Sequence, residues 1–197
     1  MQARGNHESN NTRSPGGRMF HVNPVEPGAH IHSSDPFATP EQDRSAARRV
    51  RGRLASPVTI WTAPGPSGLT VSSMLVADGD PGRVLGLVDQ ESDFWDAVSV
   101  AGRFAVTPLG FGDQQLADRF AGLMPSPGGL FALGDWIETD FGPVPVGAGT
   151  WVGCRLDGER PYGWGLLVEA TIESIHLGGS PPAPLIHFRG RYRGLDR

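Results

Sequence analysis

Gly68-Leu69-Thr70-Val71-Ser72-Ser73-Met74 decides how the rest of this 197-residue chain is read. A turn glycine runs into a short extended segment with hydroxyls at Thr70, Ser72 and Ser73, and the strand-like Pro57-Val58-Thr59-Ile60-Trp61-Thr62 stands before it. Side chains alternate on an extended chain, so Thr70 and Ser72 face one way while Val71 and Ser73 face the other. One face then offers hydroxyls beside a glycine that lets backbone amides come close, which suits a flat heteroaromatic ligand rich in carbonyls and ring nitrogens. The same residues also read as a half-polar strand with a hydrated face, and only their surroundings separate the two readings.

Those surroundings are strand-rich. The 28 Gly and 18 Pro fit many strands joined by tight turns, and 197 residues suit one domain with a substantial core. All 17 basic residues are arginine, which excludes a Schiff-base lysine and a P-loop lysine. Up to Arg53 there are eight Arg and five acids, whereas the remainder holds nine Arg and sixteen acids; an acidic body makes no nucleic-acid footprint. Cys154 is the single cysteine, so an internal disulfide and cysteine metal clusters are excluded. No apolar run approaches the roughly 20 residues of a membrane span and no apolar signal core opens the chain, so a cytoplasmic protein is expected.

Residues 1–35 read as a disordered arm, since 1–18 are Asn, Ser, Gly and Arg with little to bury. His21, His30 and His32 lie in this loose stretch without partner ligands at usable spacing and receive no chemistry. Thr39-Pro40-Glu41-Gln42 carries a helix-start pattern, predicting a helix to about residue 54. Its Arg44, Arg48, Arg49, Arg51 and Arg53 suit a solvated face or a dimer contact better than a phosphate clamp. Strands are predicted over 58–63, 69–77, 84–88, 103–109, 136–138, 150–156, 164–177 and 185–192. Ser92 caps a helix that Gly102 stops, and a second short helix covers 113–122. Eight strands and three helices without regular βα alternation indicate a mainly β barrel over 36–197.

The ordered set of strand, GLTVSSM, Gly79-Asp80-Pro81, the apolar 84–88, the Ser92 helix, Gly102-Arg103-Phe104-Ala105-Val106, Ala117-Asp118-Arg119-Phe120-Ala121-Gly122 and Phe188-Arg189-Gly190-Arg191-Tyr192 resembles the flavin reductase family, the FMN-binding split barrels, over roughly 44–193. The resemblance implies a split barrel with a six-stranded Greek-key-type core, dimeric, with flavin near the subunit interface. Carried over residue by residue, flavin ring and ribityl contacts fall on Ser67, Gly68, Leu69, Thr70, Ser72 and Ser73, with Leu87, Val88 and Asp89 lining the same cleft. The phosphate falls at Ser92, Asp93 and Phe94, where a helix N-terminus favours an anion. Arg119 and Phe120 match an Arg-Phe pair that contacts the cofactor. The implied cofactor is FMN, with FAD the alternative flavin, and NAD(P)H is the implied co-substrate; no catalytic side chain and no metal is required.

Two departures qualify the resemblance. Asp89, Glu91, Asp93 and Asp96 surround the phosphate turn with carboxylates, where an intervening arginine is needed: Arg119, or an N-terminal arginine across a dimer. Relatives carry a Gly-Asp-His segment whose histidine contacts nicotinamide, whereas here the matching position in Arg160-Pro161-Tyr162-Gly163-Trp164 is Gly163. Tyr162 and Trp164 supply alternative stacking walls for the co-substrate, and both also read as core packing. His187 reads as a structural strand residue. The leading expectation is an NAD(P)H-dependent flavin reductase that feeds a partner monooxygenase; a flavin-binding module without turnover and a flavin-free structural dimer are the competitors.

Overall fold

The computed structural model describes residues 45–179 and 182–195. The predicted arm, the three histidines, the Thr39 helix start, Arg44 and the 35/36 boundary lie outside the described residues. The described residues form α1 (Ala46–Arg51), β1 (Ser56–Pro57), β2 (Thr59–Ala63), β3 (Ser67–Val71), β4 (Met74–Ala77), β5 (Arg83–Val88), α2 (Asp93–Ala101), β6 (Arg103–Pro108), a 3-10 turn (Phe111–Asp113), α3 (Gln114–Phe120), β7 (Trp136–Ile137), β8 (Val144–Pro145), β9 (Thr150–Tyr162), β10 (Gly165–Leu177), β11 (Ile186–Phe188) and β12 (Arg191–Arg193).

Seven strands make one antiparallel sheet in the order β3-β2-β6-β9-β10-β5-β4. β3 and β4 are its two edges, yet only Ser72 and Ser73 separate them along the chain, so the sheet curls until its edges approach. The predicted single strand over 69–77 is therefore two strands: the chain leaves one end of the sheet at Val71 and joins the other at Met74. Ser73 seals the passage, because Leu87 N–H donates to Ser73 O (3.1 Å) and Ser73 Oγ donates to Leu87 O (3.2 Å). The curled sheet is a half-barrel of seven strands, where the resemblance implied a six-stranded core, because the 69–77 stretch contributes a strand to each edge.

β2 is buried at every residue because both faces of the sheet are covered. Trp61 and Ala63 join one core with Val84, Phe94, Phe104 and Val168; Val58 and Ile60 join a second core with Leu109, Ala117, Phe120 and Leu185. Trp61 stacks on Phe104 (centroids 4.8 Å, planes 15° apart), and Phe94 stands edge-on to both. Burying side chains of this size contributes about 1.5–3 kcal/mol each. The ring of Trp61 occupies the space where a Cβ on Gly86 would lie, so β5 must carry a glycine there.

α2 follows the predicted capping: Ser92 Oγ accepts from Trp95 N–H, Gly102 closes the helix at φ 66°, and Phe94 and Val98, one turn apart, are buried. Elsewhere the boundaries shift. The first helix ends at Arg51 rather than near 54, and the helix expected over 113–122 is the 3-10 turn followed by α3. The strand expected over 185–192 is the β11–β12 hairpin, because Arg189 and Gly190 both take positive φ (52° and 76°), the geometry of a two-residue turn that matches strand twist. Among the described residues no helix is long and apolar enough to cross a membrane.

Candidate functional site

β3 places the decisive stretch between two structures. Leu69 and Val71 face the Trp61 core, while Gly68 and Thr70 face α3. A Cβ on Gly68 would stand 2.5 Å from Phe120 Cε1, so this glycine admits the Phe120 ring. Thr70 Oγ1 donates to Ala117 O (2.6 Å), so helix α3 takes up one hydroxyl of the expected ligand-facing row. Ser67 is the opposite case: it is 9 % exposed and its Oγ is buried with no hydrogen-bond partner. An unmatched buried hydroxyl costs about 1–3 kcal/mol, a penalty that a polar ligand atom would relieve.

The turn between β5 and α2 is tied by its own side chains. Asp89 O accepts from Ser92 Oγ (2.6 Å) and Ser92 N–H (3.3 Å), and Asp89 Oδ1 accepts from Glu91 N–H (2.9 Å). The Ser92 cap leaves the Asp93 and Phe94 amides at the positive end of α2, which favours an anion. Asp89, Glu91, Asp93 and Asp96 are all exposed, so their charge opposes one. Through the Ser73–Leu87 bonds this turn stands next to the Ser72–Ser73 crossing, which joins two of the predicted residue groups in one place.

Arg119 and Phe120 end α3. Arg119 Nη1 donates to Leu133 O (3.1 Å) and, at 3.5 Å, to Leu130 O; Phe120 meets Phe131 and Trp136 with centroids 5.2 and 5.7 Å away. Sequence reasoning missed this segment, since its Pro125, Pro127, Gly128 and Gly129 mark a loop without saying what the loop holds. It also missed Asp118, a buried carboxylate that accepts from the Tyr192 hydroxyl (2.9 Å) and ties β12 to α3. Burial, with the Asp118 charge and hydrogen bond adding to it, pushes the Tyr192 phenol well above its ordinary range.

Tyr162 and Trp164 sit at the tip of the β9–β10 hairpin, turned by Gly163 at φ 62°. They are not core residues: Tyr162 is 54 % exposed and the Trp164 side chain lies wholly in solvent. The Arg160 guanidinium lies 5.1 Å from the Tyr162 ring centroid. A Cβ on Gly165 would stand 2.7 Å from Val88 O, and Leu166 pairs with Val88, so the tip begins beside the end of β5 and its turn. His187 lies in β11, its ring 6.2 Å from that of Tyr192. Cys154 is buried in the Trp61 core, where burial, then Asp157 and Glu173, push its thiol up to about 12.

The flavin reductase like domain matches residues 51–196. FMN reductase (NADH) RutF of Methylorubrum extorquens is 30% identical over 159 residues, 79% of this chain and 77% of the relative. The flavin-dependent monooxygenase reductase subunit HsaB of Mycobacterium tuberculosis is 26% identical over 159 residues, 78% of this chain and 83% of the relative. The crystal structure of a nitrilotriacetate monooxygenase component B homolog from Mycobacterium thermoresistibile superimposes with a TM-score of 0.69 at 30% identity, covering 76% of this chain and 85% of that one. With its curled sheet, its Ser92-capped helix and a domain match over most of its length, the chain belongs to the flavin reductase-like domain family.

Proposed function

We propose that this chain is a flavin reductase that takes NADH as co-substrate and FMN as its flavin, with FAD the alternative, and that it serves a separate monooxygenase as the reductase component of a two-component system. The observation that carries the reading is the family match over 51–196, joined to relatives named as NADH-dependent FMN reductase and as monooxygenase reductase subunit. Its residues suit a flavin: the buried, unmatched Ser67 hydroxyl awaits a polar partner, and the Asp93 and Phe94 amides favour the phosphate end. A bound flavin supplies a hydride acceptor at N5 and passes the electrons onward.

The chain's own residues bind and orient. Ser67, Ser72 and Ser73 would offer hydroxyls, and Gly68, Leu69 and Thr70 their backbone, to the ring and ribityl chain; Leu87, Val88 and Asp89 would close the cleft, and Ser92, Asp93 and Phe94 would face the phosphate. Phe120 keeps β3 seated on α3, and Arg119 fastens the segment that packs on Phe120. Trp164 and Tyr162 offer aromatic faces for the nicotinamide ring where the family resemblance implies a histidine; hydride transfer needs stacked rings more than an acid or base. The working unit is a homodimer in the cytoplasm, supported by an outer sheet face whose apolar side chains lie open to solvent and by a lone buried thiol.

A second reading, a flavin-binding module without turnover, is favoured by Gly163 at the histidine position and by the acidic turn. The two separate in one assay: NADH oxidation by the purified chain that rises with added FMN supports the reductase, whereas flavin binding without NADH oxidation supports the module.

A further inference from the structure

We infer that Asp118 and Tyr192 are positioning residues for β3, fixing through α3 where the backbone of Gly68, Leu69 and Thr70 stands; this rests on the flavin reductase reading above, which sets the flavin against that strand. β3 is an edge of the seven-stranded sheet, laddered to β2 and to no other strand among the described residues. A strand held along one side opens more easily than one held along both, so its place depends on what covers its face. That cover is α3, where four consecutive residues each reach another element. Ala117 O accepts from Thr70 Oγ1 (2.6 Å), Asp118 Oδ1 accepts from the Tyr192 hydroxyl (2.9 Å), Arg119 Nη1 donates to Leu133 O (3.1 Å), and the Phe120 ring fills the space beside Gly68. At 7 residues α3 is too short to hold its conformation by propensity, so these contacts decide its position.

Tyr192 is itself referenced to the sheet. It lies in β12 opposite His187 of β11, and β11 pairs with β1 at Ser56 and Pro57. Val58 N–H then donates to Leu185 O (3.0 Å) where the chain passes from β1 into β2. The contacts close a ring: the ladder joins β2 to β3, Thr70 and Gly68 join β3 to α3, Asp118 joins α3 to β12, and β11 with β1 leads back to β2. Asp118 is 1 % exposed, so bulk water does not stand in for the Tyr192 hydroxyl. The phenol, pushed well above its ordinary range by burial and then by Asp118, keeps its proton through the neutral range and remains the donor. Opening this bond frees α3 to drift from β12 and to draw Thr70 with it. Small shifts of a strand backbone weaken the hydrogen bonds it offers a ligand, because a binding site tolerates little displacement of its donors and acceptors.

The test is a double-mutant cycle in the full chain: the unaltered protein, Tyr192→Phe, Thr70→Val and the two together, with Asp118→Asn and Asp118→Ala beside them. Fluorescence quenching gives FMN and riboflavin affinities at a temperature where each form is folded, and hydrogen exchange read by mass spectrometry follows residues 67–71 and 83–88. Tyr192→Phe is expected to raise both flavin dissociation constants about three- to tenfold and to speed exchange in β3 while β5 keeps its rate. In the Thr70→Val background the same change costs less than about twofold, because the route from α3 to β3 is already cut. Asp118→Asn keeps an oxygen acceptor for the hydroxyl and loses less affinity than Asp118→Ala; should the alanine form fail to fold, the Tyr192–Thr70 cycle decides alone. A lower Tm with unchanged flavin affinity in Tyr192→Phe, or a loss that adds in full to that of Thr70→Val, overturns the inference. If the unaltered chain binds neither flavin while Tyr192→Phe still speeds β3 exchange, the link through α3 stands and the flavin reading falls; if exchange is unchanged as well, both fall.

Discussion

Replacing Gly68 by alanine separates two explanations of the glycine in the decisive stretch. The added Cβ would lie 2.5 Å from Phe120 Cε1, 2.8 Å from Phe120 Cδ1 and 3.0 Å from Trp61 O. The Trp61 carbonyl belongs to the β2 ladder and cannot retreat, so the ring must give way, carrying the end of α3 and its contacts with Phe131 and Trp136. Overpacking of this kind costs about 1–3 kcal/mol, which in a domain of this size lowers Tm by about 2–10 °C. Thermal unfolding followed by circular dichroism measures the shift, and Phe120→Leu in the same chain recovers part of it by making room. If Gly68→Ala left Tm unchanged but abolished FMN binding, the glycine would serve ligand approach rather than the Phe120 ring, and the packing argument would be wrong.

Expected outcomes at four further residues follow from the same contacts. Cys154 is buried with its thiol pushed up to about 12 from an ordinary 9.0, so the native chain resists thiol reagents at neutral pH and reacts on unfolding. Because the folded-state value is the higher one, this thiol's contribution to stability is complete below pH 9.0 and is lost as pH rises toward about 12; Cys154→Ala flattens that part of a urea-denaturation pH profile. Tyr192→Phe takes one donor from buried Asp118 and lowers unfolding free energy by about 1–3 kcal/mol in urea titration. Arg119→Ala releases the Leu130 and Leu133 carbonyls, so limited proteolysis within 121–135 accelerates and FMN and riboflavin weaken alike; a loss confined to FMN would show that the guanidinium serves the phosphate. Trp164→Ala raises the KM for NADH and leaves FMN affinity unchanged, as checked by initial rates and quenching titration.

The elements legible in the sequence were those whose signals are local. Ser92 and Gly102 bracket α2 because a hydroxyl cap and a left-handed glycine act within one turn. The strand predicted over 164–177 is β10 (Gly165–Leu177), although a register shift between Ile172 and Ser174 breaks its alternation. The crossing at Ser72–Ser73 was not legible, since Val71, Ser72, Ser73 and Met74 alternate smoothly and the break arises from the curl of the whole sheet. Thr70 looked available because its acceptor, the Ala117 carbonyl, is 47 residues away in sequence. The contacts of Arg119 within the chain were not legible for the same reason: the carbonyls it meets are in a Pro-Gly loop with no pattern to read. Tyr162 and Trp164 were balanced between core and site on sequence alone, and exposure removes the core alternative. Ser67 was named by resemblance, and its unmatched hydroxyl is visible only in three dimensions.

The most direct test of the central claim is a single anaerobic turnover. The purified chain is loaded with FMN and mixed with NADH carrying deuterium at the transferred position, and the oxidised-flavin absorbance is followed beside an undeuterated control. A chain that holds the two rings for direct hydride transfer bleaches the flavin on mixing, and more slowly with the deuterated nucleotide. Flavin that binds but stays oxidised under NADH, or no flavin binding at all, contradicts the account.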